Sequence, residues 1–154
     1  MDWYVRAFIR SSATWLVLGV TLGLAMVLRG EWAIYRVAHM HMLLLGFVSM
    51  MIFGFGYHVV PRLAGNRLHS ARWAGWHVWL ANAGLALLSV GFSLRANASE
   101  AALPILIAGG VASTTGAYLF ATNILLSTRD RPRPPAPVKT ARNLPTLRDE
   151  ATSD

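Results

Sequence analysis

His39 and His41 stand two residues apart in "AHMHMLLLGF", at the start of a long apolar run. An ionisable side chain at the mouth of a membrane helix is costly and normally serves a site. Neutral imidazole is a good ligand for iron, and two imidazoles fill both axial positions of a haem. Helical geometry restricts how this pair can do so. At 3.6 residues per turn, positions i and i+2 differ by about 200°. His39 and His41 therefore face nearly opposite sides of one helix and cannot hold one iron from within a single chain. His58 lies 17 residues beyond His41, a rise of about 25 Å. His69 falls in the next loop, and His77 lies near the start of the following apolar run. His58 and His77 form an alternative ligand pair at the other membrane face. The competing assignment for His39 and His41 is a hydrogen-bonded interfacial anchor. For His58 and His77 it is an interfacial hydrogen bond or a cap.

The elements that carry these residues are legible from charge. Four stretches hold no Asp, Glu, Lys or Arg: 11–28, 37–61, 73–94 and 101–128. A membrane helix needs roughly 20 mainly apolar residues to cross about 30 Å of hydrocarbon, and each stretch is near or above that length. A soluble domain would distribute its charges at helical or strand period. The pattern predicts an all-α, integral membrane four-helix bundle over 1–128, with helices at about those four ranges. "AMVLRGEW" after the first run lacks a small-residue cleavage pattern, so that run is kept as a helix. Pro61 is expected to end the second helix, with Arg62 at the membrane surface. From Arg129 onward, five prolines and ten charges fall in 26 residues, as in "RDRPRPPAPVK". Such a composition cannot bury enough apolar surface to fold, and 129–154 is expected to be a disordered cytoplasmic tail. That tail serves topology, or docks a partner or anionic lipid.

Orientation follows from the basic residues. With the N-terminus inside, eleven of the 14 Lys and Arg fall in inner segments, against Arg29, Arg36 and Arg95 outside. The positive-inside rule then places both termini in the cytoplasm of a bacterial-type inner membrane, with His39 and His41 on the outer side. The net charge of +7 reflects this asymmetry rather than nucleic-acid binding. There is no cysteine, which excludes disulfides, thiolate ligands and iron–sulfur clusters. Redox chemistry must come from a bound cofactor. Gly19-x-x-x-Gly23 and "AGGVASTTGA" read as small-residue faces for close helix packing. The glycines of "GFGYHVVPRLAG" would let a bulky group lie against the backbone.

"AHMHMLLLGFVSMMIFGFGYHVVPRLAG" resembles a helix of the haem-copper oxidase catalytic subunit, subunit I. The tenth helix of that family begins Ala-His-x-His and ends in an aromatic-rich stretch followed by Pro and Gly. The distance from His39 to Pro61 matches it without a gap. The second helix of the family also begins Ala-His and ends in the same proline, one residue different. "RWAGWHVWLANAG" is similar to the helix that follows in each repeat. The resemblance covers roughly 35–95 and extends in look to nitric-oxide-response haem membrane proteins. It implies a fold of twelve helices in three arcs of four, of which this chain has the size of one arc. It also implies roles. His39 matches the low-spin haem ligand of the second helix and the high-spin ligand of the tenth, and His41 matches the low-spin ligand of the tenth.

The resemblance thus implies a haem b protein for electron transfer or for binding a gas such as NO or O2. His39 of one protomer and His41 of the next would ligate one haem, and three protomers would close a homotrimer. The family's copper ligands include a His-His pair where this chain has "LLSVGFSLR", and its His-linked tyrosine has no counterpart, since Tyr57 lies at the other end. Copper and a complete oxygen-reducing site are therefore not expected in this chain. The alternative is a cofactor-free structural or assembly subunit of a respiratory oxidase or nitric oxide reductase. Besides the bilayer, a respiratory-chain partner is expected.

Overall fold

The computed structural model describes residues 1–129. The segment expected to be a disordered tail lies, beyond Arg129, outside the described residues. Four helices are long and apolar enough to cross a membrane: α1 (Trp3–Leu28), α2 (Gly30–Leu63), α3 (Ala71–Ala96) and α4 (Ala102–Ser127). No strand occurs among the described residues. The protein is an all-helical, multi-pass membrane protein.

The first three helices are longer than their charge-free stretches, and α4 falls one residue short of its stretch at each end. α1 starts at Trp3 rather than near residue 11, so Arg6 and Arg10 are helical and exposed. Their long side chains can reach the interface from inside the helix, so a charge need not mark its end. Near the other face, α2 begins with a 3-10 turn, Gly30–Tyr35. It is α-helical over Arg36–His41, π-helical over Met42–Ser49, and α-helical again over Met50–Leu63. Pro61 sits inside this last part and does not end it. Termination comes at Ala64, where the Asn66 N–H bonds the Pro61 carbonyl at 2.8 Å and the Gly65 N–H bonds the Arg62 carbonyl at 3.0 Å. This is the Schellman arrangement, and it needs Gly65 at φ 68°. α3 ends the same way after Ala96, with Ala98 at φ 55° in the glycine position.

α3 and α4 make the most extensive pairing, and α1 lies along the π-helical and following α-helical parts of α2. Glycines set both approaches. A Cβ on Gly109 would stand 2.8 Å from the Leu88 backbone nitrogen and 2.9 Å from the Gly84 oxygen. The small-residue stretch of α4 is therefore a backbone-to-backbone contact. A Cβ on Gly46, inside the π-helical part, would stand 2.5 Å from Trp15 Cβ and 2.9 Å from Leu85 Cδ2. The buried core, built on Tyr4, Phe8, Met50, Tyr57 and Leu85, fills the half of the bundle nearer the 64–70 loop. Outward faces carry exposed Val17, Leu24, Phe55, Trp76 and Trp79, as lipid contact requires.

The 64–70 loop is tied to the end of α4. Asn123 accepts from the Ser70 N–H at 3.0 Å and donates to the Ser70 carbonyl at 2.8 Å. Ser127 Oγ accepts from the His69 N–H at 2.8 Å. Ser70 in turn caps α3 by accepting from the Trp73 N–H.

Candidate functional site

His39 and His41 lie on the α-helical part of α2 just before the π-helical stretch. Their rings diverge as the two-residue spacing requires. His39 points at α1, where its Nδ1 lies 2.8 Å from the Gly19 carbonyl oxygen. A Cβ on Gly23 would stand 2.8 Å from His39 Cε1, and one on Gly19 would stand 2.6 Å from Leu43 Cδ2. The Gly19-x-x-x-Gly23 face is thus a seat for two α2 side chains, one of them the histidine. His41 points at α3 and lies against Phe92, ring centroids 4.5 Å apart. Its Nδ1 lies 2.8 Å from the Val37 carbonyl oxygen, one turn back.

These two contacts decide a tautomer. A carbonyl oxygen only accepts, so in each ring Nδ1 must carry the proton and donate. In the neutral ring Nε2 then holds the free lone pair. Metal-binding histidines are commonly prepared in this way, with the other ring nitrogen donating to a carbonyl or carboxylate. A π-helical segment beside such residues is also frequent at functional sites. The Nδ1 partners were not legible in the sequence, because Gly19 is twenty residues from His39 and a backbone acceptor leaves no residue signature.

His58 and His77 have different partners. His58 is partly exposed, and its Nδ1 lies 3.0 Å from Arg62 Nη1. The same guanidinium donates to the His58 carbonyl. His77 is fully buried on α3. Phe8, Phe53 and Phe120 pack around its ring, with centroids at 4.8, 4.6 and 5.7 Å. Its Nδ1 lies 3.1 Å from the Tyr57 hydroxyl, and Nε2 has no hydrogen-bond partner among the described residues. The residue of α2 that hydrogen-bonds His77 is therefore Tyr57, one position before His58. One glycine of this stretch receives the chain's own ring: a Cβ on Gly56 would stand 2.9 Å from Phe120 Cζ. His69 is exposed. Among the described residues, no group of three or more His, Cys, Asp or Glu converges as a metal site.

Comparison with known proteins falls on the same stretch. Residues 31–99 match the family described as "Cytochrome C and Quinol oxidase polypeptide I". This segment is subunit I-like. It comprises α2, the loop and α3, with both divergent histidines, and is under half of the chain. A "Cytochrome c oxidase subunit 1 homolog" of Agrobacterium tumefaciens (strain T37) is 38% identical over 52 residues, which are 33% of this chain and 10% of that protein. The chain thus spans a small fraction of the curated relative's length. No solved structure matches.

Proposed function

We propose that the protein is a haem b-binding, oxidase subunit I-like membrane protein whose task is electron transfer. The observation that carries this reading is the shared tautomer of His39 and His41. Both rings are pinned through Nδ1–H to backbone carbonyls, which leaves each Nε2 with a free lone pair, on opposite sides of α2. The donor set suits haem: imidazole is its commonest protein ligand, and the chain has no thiolate to compete. Bound haem b supplies a one-electron iron couple. The chain's own residues do the rest. Gly19 and Val37 orient the rings, Gly23 makes room for His39, and Phe92 holds the plane of His41. If two histidines held the haem iron, electron transfer would be favoured over gas binding, which needs an open position.

Because the two Nε2 atoms diverge, one chain supplies one ligand to each of two sites. The proposed assembly is a homotrimer with His39 of one protomer and His41 of the next at each interface. Both termini lie in the cytoplasm of a bacterial-type inner membrane in this reading, by the distribution of Lys and Arg. Enclosure of His77 by three phenylalanines weighs against His58 and His77 as the ligand pair.

A reduced-minus-oxidised optical spectrum of the purified protein tests the reading. A low-spin haem b difference spectrum is expected. A colourless preparation from haem-sufficient cells overturns it. That result would favour the second reading, a cofactor-free structural or assembly subunit, which is supported by the seating of the His39 ring edge on Gly23 within its own chain.

A further inference from the structure

A cavity of about 300 Å³ lies at the end of the bundle that carries the 64–70 loop, between the start of α1 and the end of α2. Its lining carries charges of both signs, Arg62 and Arg67 with Asp2, beside the buried rings of Tyr4 and Tyr57. Asp2 stands at the N-cap position of α1, where an aspartate normally accepts from an amide of the first turn. It makes no such bond, so its carboxylate is left to the cavity it lines. Arg62 commits one nitrogen to His58, and a guanidinium has five N–H donors in all. Arg67 stands between two anchored residues: Asn66 donates to the Ser127 and Arg129 carbonyls, and Leu68 packs against the core. A second cavity, of about 380 Å³, runs along the outer face of α3 and shares exposed Ala71 with the first. Exposed Trp76 and Trp79 line it. Trp3 forms another wall and lies on Gly75, where a Cβ would stand 2.8 Å from Trp3 Cζ2. From Ala71 to Trp79 is eight residues, or about 12 Å along the helix.

We propose that the first cavity binds the head group of one phosphatidylethanolamine molecule of the loop-side leaflet. A simple anion there would meet Asp2 as a like charge, and a simple cation would meet two arginines. A zwitterion answers both signs. The phosphodiester lies on Arg62 and Arg67, whose planar forks suit phosphate oxygens, and the ammonium lies on Asp2. The glycerol crosses Ala71, and an acyl chain runs along the tryptophan groove toward Trp79. Arg72 lines that groove at its loop end, one residue beyond Ala71, on the side of the phosphate. The site needs no cofactor and does not depend on the haem reading.

Two lipids that differ only in the head group beyond the phosphate test the assignment. The full-length protein is equilibrated with equal amounts of phosphatidylethanolamine and phosphatidylglycerol of the same chains, and the retained lipid is read by native mass spectrometry. Both carry the phosphodiester charge, and only the first carries an ammonium. One retained lipid is expected, with phosphatidylethanolamine favoured about threefold, as one exposed ion pair gives. Asp2→Asn should bring that ratio to one or below, because the ammonium then meets only arginines. Arg67→Gln should weaken retention of both lipids. In lipid-free detergent Asp2→Asn should leave the melting temperature unchanged, since the carboxylate makes no cap bond. Phosphatidylglycerol retained as well as phosphatidylethanolamine, or better, by the unaltered protein would overturn the proposal and indicate plain attraction of anionic lipid. So would a preference for phosphatidylethanolamine that survives Asp2→Asn, or retention that Arg67→Gln leaves unchanged.

Discussion

Gly23 matters to His39 through the atom it lacks. A Cβ there would stand 2.8 Å from His39 Cε1, so the ring must leave α1 if Gly23 gains a side chain. On the haem reading, Gly23→Leu should abolish the low-spin spectrum although both histidines remain, and a spectrum equal to the unaltered protein's would contradict it. The spacing of His39 and His41 made their divergence legible, because 3.6 residues per turn leaves no other outcome. What each ring meets was not legible, since it depends on which helix lies alongside. A second residue-scale test concerns His77. Among the described residues its side chain hydrogen-bonds Tyr57 alone, inside an aromatic enclosure. Tyr57→Phe should destabilise the protein by about 1–3 kcal/mol, because it leaves a buried imidazole with no partner. Adding His77→Phe should recover part of that loss. Thermal melts of the two single variants and the double variant measure the coupling, and simple additivity would count against it.

At the scale of elements, α3 and its turn make the clearest prediction. Ala98 is exposed and occupies the left-handed position that ends α3, at φ 55°. An L-residue with a Cβ costs about 1–2 kcal/mol there, and glycine does not. Ala98→Gly should therefore raise stability by up to about 1 kcal/mol after the added chain entropy of glycine is set against the gain. Denaturant or thermal unfolding in detergent would show it as a higher midpoint. The four helices themselves were readable because lipid tolerates few charges, so charge-free runs coincide with spans. Their ends were less so. Arg6 and Arg10 sit within α1, and Pro61 sits within α2, because an arginine reaches the interface from inside a helix and a proline near a terminus breaks only one backbone bond. Nothing in "MLLLGFVS" announces the π-helical stretch, within which Gly46 packs against both Trp15 and Leu85.

The whole molecule supplies the assembly test. If each haem takes His39 from one protomer and His41 from the next, His39→Ala and His41→Ala should each remove low-spin ligation at every site. Co-expression of the two variants in one cell should restore some sites, because a chain with His39 can face a chain with His41. Absence of any low-spin signal in the mixed preparation, with both variants incorporated, would rule out the shared-ligand trimer. Reporter fusions at the two termini check the topology. Both are expected on the cytoplasmic side, as eleven of 14 basic residues require.

The π-helical stretch Met42–Ser49 gives α2 a spare residue next to its two histidines. A helix with slack of this kind can lose one residue and close up as an ordinary α-helix, without a break in its hydrogen bonding. The part from Met50 onward would keep its place in the core. The part before Met42 would turn by about 100° and shift by about 1.5 Å. A single-codon deletion in this stretch would then act as a dial. It would re-aim His39 and His41 together, away from Gly19 and Phe92, in a chain that still folds and still inserts.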